Sequence, residues 1–430
     1  MTERRASDGC RWPLPAALLG GGPIALSVAR SLHRLGVPVY AAGHRIDPVQ
    51  HSRACVEFVD LGSGHGVQER WLQWLRSSDQ PVVVLPCCDD ALELVARHRD
   101  ELRNLGHISI EADDEVLLAM LDKRSTYDLA QRLGMRTPRT TVVERESSAE
   151  QIIERVGLPC ALKPAQSHVF TRVFPFLTKA LIARSHAELE ALLARLEPLG
   201  IEMLASDIVP GGDDRLAALT TYLDDAGAPL FMFTRAKVRQ YPPHFGIGCY
   251  QVTRWDPSLA EAGLRFLQGV GVRGLASVEF KRDDLDGELV LIECNHRFTT
   301  ATELSRLAGI DQAQIVYRRL VHLPGELPES FRQGVRLWNP VEDTLASLAG
   351  VRAGELTPTA WVRSLLHRQH LPLLSLSDPA PSIAGLGVLA GKAWLRLRGK
   401  ISRTSTAASS DVHRPLPKAD ASRRPVSRAP

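Results

Sequence analysis

The segment Val278-Glu279-Phe280-Lys281, followed across a short turn by Leu291-Ile292-Glu293-Cys294-Asn295, constrains this chain more than any other. Ala276 to Arg282 and Glu288 to Cys294 both read as strands, and the turn Asp283 to Gly287 between them makes an antiparallel hairpin. Side chains alternate along a strand, so Asn295 shares a face with Glu293, while Glu279 lies on the adjacent strand. Two carboxylates about 4 Å apart repel by ~4 kcal/mol at an effective dielectric of about 20, so burying both calls for a cation between them. Hard oxygen donors of this kind suit Mg²⁺, which keeps some of its waters and completes its shell with phosphate oxygens. A solvated hairpin carrying unrelated acids is the alternative reading. Arg297, two residues beyond Asn295, adds a guanidinium able to neutralise phosphoryl oxygens.

Upstream, Ala16 to Leu19 reads as a buried strand, followed by Gly20-Gly21-Gly22, a helix from Ile24 to Leu35, a left-handed cap at Gly36 and a second strand, Val37 to Ala41. This is a βαβ start to a parallel sheet. Val82 to Leu85 is a further apolar strand, with Asp89 and Asp90 at its carboxyl end. Gly20, Gly22 and Ala25 fit a G-x-G-x-x-A spacing, but Gly43-His44-Arg45 closes the second strand where a dinucleotide site needs an acid, which argues against a dehydrogenase. Glu115 to Leu133 reads as helical, and the elements from Glu150 to Cys294 alternate as short helices and strands of α+β type. Arg235, Lys237 and Arg239 alternate along one strand, so all three are expected on one face.

Composition narrows the classes. The 430 residues carry a net charge of only +3, with much of the basic excess after Arg396, which disfavours a nucleic-acid-binding face. Seven scattered cysteines without CxxC pairs point to a reducing, cytoplasmic setting rather than to disulfides or zinc. Glycines and a proline interrupt the apolar stretch Leu14 to Val28, so it does not read as a signal peptide, and no run is long enough to span a membrane. Leu386 to Arg398, with Lys392, Arg396, Arg398 and the following Lys400, reads as a solvated terminal helix, with weak contact to a membrane surface as the second reading.

With these residues in view, the chain resembles the ATP-grasp superfamily, and within it the bacterial carboxylate-amine ligase-like members, over about residues 14 to 330. In that family a glutamate on one strand and an E-x-N-x-R string on the next hold magnesium and triphosphate, and Glu279, Glu293, Asn295 and Arg297 match it in turn. The resemblance implies that Lys123 and Lys163 contact ATP phosphates. It also implies that Asp207, Ile208 and Val209 form the adenine hinge, through backbone groups because Ser206 and Asp207 replace the usual Gln and Glu. Asp214 falls at the position of the ribose acid. The glycine-rich phosphate lid of many relatives is replaced by Pro164 to Phe170, so no lid residue carries over.

The expected architecture is a parallel α/β domain at 14 to 114 followed by a two-lobed ATP-grasp fold at 115 to 330, with a lid at about 137 to 210 and a magnesium-bearing lobe at about 211 to 330. A helical extension at 331 to 400 follows, and residues 1 to 13 and 401 to 430 are expected to be disordered. The implied activity uses ATP and Mg²⁺, with Mn²⁺ as a substitute, to activate a small carboxylate as an acyl phosphate for attack by an amine. Arg297 and Lys237 are the expected catalytic cations. Bicarbonate activation and non-catalytic ATP binding are the rival readings.

Overall fold

A computed structural model describes residues 14–169 and 180–385. Its first sheet is parallel, in the order β3-β2-β1-β4-β5, from β1 (Ala16–Leu19), β2 (Val39–Gly43), β3 (Glu57–Asp60), β4 (Val83–Pro86) and β5 (Ile108–Ser109). The glycine turn after β1 is dictated by packing. Gly21 has φ +88°, and a Cβ there would lie 2.3 Å from Cys87 Cβ, so only glycine lets β1 close on the end of β4.

A four-stranded antiparallel sheet, ordered β6-β9-β7-β8, contains β6 (Thr140–Val143), β7 (Cys160–Pro164), β8 (Leu181–Ala183) and β9 (Met203–Asp207). The helices Ala149–Val156 and His186–Leu196 cover it, giving a separate apolar core around Ile152, Leu162, Leu189 and Ala205. A third, antiparallel sheet runs β14-β13-β10-β11-β12-β15, from β10 (Leu216–Leu223), β11 (Pro229–Tyr241), β12 (Ile247–Thr253), β13 (Gly274–Arg282), β14 (Leu289–Asn295) and β15 (Arg336–Trp338). One of its faces packs on the helix Pro257–Val270 through Leu219, Val278 and Phe266. Part of the opposite face, at Tyr222, Phe231 and Phe233, joins the same core as the parallel sheet. The mixture of one parallel and two antiparallel sheets agrees with the α/β and α+β class expected from the pattern.

Three expectations need correction. The helix expected over Glu115 to Leu133 is two helices, Asp114–Leu121 and Lys123–Arg132, because Asp122 takes an extended backbone and caps the second by accepting from the Ser125 N–H at 3.0 Å. The extension after residue 330 is not wholly helical, since β15 pairs with β12 before the helices Pro340–Arg352 and Pro358–Leu365. Arg239 parts company with Arg235 and Lys237, because bulges on either side of it shift the β11–β12 register. The segments 1–13, 170–179 and 386–430, with the expected tails and basic helix, lie outside the described residues.

Candidate active site

Glu279 and Glu293 face each other directly across β13 and β14, and Ser277 is opposite Asn295. A bulge just after Glu279 breaks the register before Phe280, so the pairing that aligns the two acids is local. Glu279 is buried, and the Lys237 ammonium donates to its Oε1 at 2.8 Å. The Asn295 amide donates to Glu293 Oε1 at 3.1 Å. Two carboxylates and an amide carbonyl, brought together from adjacent strands, form the hard-oxygen donor set that Mg²⁺ accepts. These residues fit such an ion.

At Glu279 and Glu293 opens a cleft continuous with solvent, lined by both charged and apolar side chains as small-molecule sites are. Lys123, Lys163, Lys237, Lys281, Glu279, Glu293 and Asp207 are its charged lining residues. Lys123 opens the helix Lys123–Arg132 and donates from Nζ to Ser167 Oγ at 2.7 Å and to the Pro164 carbonyl at 3.3 Å. Lys163 on β7 has its Nζ 5.5 Å from the Phe245 ring centre. Burial, and then the charge of Lys123, lower the Lys163 pKa to about 8.

The hinge Asp207-Ile208-Val209 lines the same cleft. Asp207 turns its carboxylate to Arg139, accepting from the backbone N–H at 3.0 Å and from Nε at 2.8 Å. Lys281 donates to the Val209 carbonyl at 2.8 Å and fixes the hinge peptide. Lys281 was missed as a functional residue, although its spacing of two from Glu279 puts it on the same strand face. Asp214 is not brought to the cleft wall; it stands exposed on the turn Asp213–Arg215. Asp213 is the acid turned inward, accepting from Gln240 Nε2 at 2.8 Å and from the His244 N–H at 3.0 Å.

A second, smaller recess shares Lys123, Ser167 and Glu293 with the first and extends to Asp89 and Arg297. Arg297 therefore differs from the expected free phosphate ligand: its Nε donates to Asp89 Oδ1 at 2.5 Å, tying the hairpin to the carboxyl end of β4. His296, also lining this recess, is buried with Nε2 unpartnered, and burial lowers its pKa to about 4, so it stays neutral near pH 7. The sequence marked Asp89 only as an acid at a strand end. Its partner became visible only when the two sheets were placed together.

No family model matches the chain. It is 27% identical over 242 residues to the D-aspartate ligase of Enterococcus faecium (strain Aus0004), a stretch covering 54% of this chain and 57% of that protein. The chain thus spans little more than half the length of that curated relative. Among solved structures it is similar to the ADP complex of an N5-carboxyaminoimidazole ribonucleotide synthetase, with a TM-score of 0.58 at 15% identity over 80% of this chain and 88% of the other. It is similar also to the biotin carboxylase domain of Hydrogenobacter thermophilus 2-oxoglutarate carboxylase, solved with MgADP and bicarbonate, with a TM-score of 0.59 at 16% identity over 75% and 73% of the two chains. At these identities the structural likeness is one of fold. Taken with the relatedness in sequence to a ligase and the E-x-N-x-R hairpin at the cleft, it accords with the chain's resemblance to the ATP-grasp superfamily.

Proposed function

We propose that this chain is a ligase that uses ATP to convert a small carboxylate into an acyl phosphate and then passes the acyl group to an amine. The observation that carries the reading is the direct opposition of Glu279 and Glu293, with Asn295 beside them, at the junction of two chambers that share Lys123. ATP occupies the larger chamber, its base against the Asp207 to Val209 backbone and its phosphates toward Lys123 and Lys163. Glu279, Glu293 and Asn295 would hold Mg²⁺, which when bound would supply charge neutralisation at the phosphates.

The substrate carboxylate oxygen attacks the γ-phosphorus as the bond to the ADP oxygen breaks. Lys123 and Lys163 hold the phosphoryl oxygens, and Lys237 passes from Glu279 toward the charge that builds up. The amine then attacks the acyl carbon, phosphate departs with the bonding pair, and the amine loses its proton to phosphate or solvent. Positioning and electrostatics supply the rate without a covalent enzyme nucleophile. Arg297, through its bond to Asp89, fixes the far wall of the smaller chamber, where the substrates meet. Six cysteines are free among the described residues, which supports a reducing compartment such as the cytoplasm. No helix among the described residues is long and apolar enough to cross a membrane.

The test is a hydroxylamine trap with MgATP and a panel of carboxylic and amino acids. The expected result is a hydroxamate and stoichiometric ADP for one class of acid. ADP release driven by bicarbonate alone, or nucleotide binding without any acid-dependent turnover, overturns the reading.

A further inference from the structure

The cations of β11 meet different fates in the fold. Lys237 gives its ammonium to Glu279 at 2.8 Å and to Gln240 Oε1 at 3.2 Å. Arg239 closes on Asp343 at 2.6 and 3.1 Å. Among the described residues Arg235 has no such partner. Its side chain is only 7% exposed, its Nε and Nη1 are buried without an acceptor, and the acids whose charge it feels are Glu279, with Oε2 3.9 Å from Nη2, and then Glu293.

Its place in the sheet accounts for this. One cross-strand row runs Glu293, Glu279, Ala218, Arg235, Thr253. Ala218 offers only a methyl group between the acid and the guanidinium, and the Thr253 hydroxyl is committed to the Arg332 carbonyl and the Val335 N–H. No side chain of the row is left to accept from Nε and Nη1, and a buried donor in that state is costly unless something else completes it. The missing partner is anionic, because burial already disfavours the guanidinium charge and one carboxylate at 3.9 Å is shared with Lys237. It is also small and weakly charged, since a phosphate dianion here would meet the repulsion of Glu279.

We propose that Arg235 receives a carboxylate of the substrate, so that the acid activated beside Glu279 and Glu293 carries a second carboxylate. The site selects small dicarboxylates, amino dicarboxylates included, over monocarboxylates. This rests on the ligase reading above and names its substrate class. Arg235 is then a specificity-determining residue that touches substrate, two strands from Glu279 and three from Glu293.

The experiment is calorimetric titration of the full chain with succinate, malonate, aspartate and acetate, each in saturating MgADP, for the wild type, Arg235→Lys and Arg235→Met. At least one dicarboxylate is expected to bind the wild type more tightly than acetate, and to lose about tenfold or more in affinity in Arg235→Met, with Arg235→Lys between them. Dicarboxylates binding the wild type no better than acetate overturn the proposal, and this comparison needs no variant to fold. Equal dicarboxylate affinity in wild type and Arg235→Met overturns it as well. Failure of the wild type to bind MgADP in the first step strikes instead at the nucleotide reading.

Discussion

Arg239 and Asp343 form a two-point ion pair, Nε to Oδ1 at 2.6 Å and Nη2 to Oδ2 at 3.1 Å, between β11 and the helix Pro340–Arg352. Asp343 is fully buried and also accepts from the Trp361 indole at 3.2 Å. His244, whose neighbour Phe245 lies against Lys163, meets Glu355 at 3.2 Å. The C-terminal extension is therefore fastened both to the strand that supplies Lys237 and to the loop that borders the larger cleft.

Removing one member of a buried pair strands the other. Asp343→Ala is expected to lower stability by ~3–5 kcal/mol in urea denaturation and to weaken MgADP binding, because the 241–246 loop loses its backing. A loss below ~1 kcal/mol would mean that the pair is not buried in solution.

Glu293→Gln keeps a carbonyl for the Asn295 amide to bond but removes one anionic ligand. Turnover is expected to fall by roughly a hundredfold or more, with a raised magnesium requirement, while apo stability changes by less than ~1 kcal/mol. Glu279→Gln differs in stability, because the buried Lys237 then lacks its carboxylate partner. Magnesium titration of activity and thermal melts of both variants check the pair. Normal turnover of Glu293→Gln at limiting magnesium would remove the ligand assignment.

Lys163 gives a pH dependence. Its folded pKa, about 8, lies below the ordinary 10.5, so between these values the unfolded chain binds more protons and the apo protein gains stability as pH rises. Nucleotide affinity runs the other way, falling as pH passes about 8 and the ammonium loses its charge. Lys163→Arg, which stays charged, is expected to flatten that profile. Calorimetry with MgADP on either side of this pH reads both, and identical profiles for the two proteins would exclude Lys163 from the phosphate contacts.

Asp207→Ala tests the hinge. Its partner Arg139 is 68% exposed, so the loss is expected to cost no more than ~1 kcal/mol of stability. With the base held by backbone groups, MgADP affinity is expected to change less than about threefold. A large loss would assign the carboxylate itself to the nucleotide.

The hairpin was legible because both runs read as strands joined by a short turn, so Glu279, Glu293 and Asn295 could be grouped on adjacent strands. That Glu279 stands directly opposite Glu293 was not legible, because the register set by the turn shifts by one residue just after Glu279. β12 and β15 were not legible. β12 follows a Pro-Pro-His-Phe-Gly loop and carries polar Gln251 and Thr253 inward, and β15 is a strand only because β12 offers it an edge. The same limit explains Arg239, Arg297 and Asp214. A period of two cannot foresee a bulge, a partner on another sheet or the twist of a turn, and those decided where the three side chains point.

β15 has a consequence beyond architecture. Without it, β12 would end the third sheet with a row of unpaired backbone donors and acceptors, the template on which chains stack edge to edge. Tyr250, Gln251 and Val252 are covered by Trp338, Leu337 and Arg336, so a segment that looks like an appendage to the catalytic fold is also its guard against self-association.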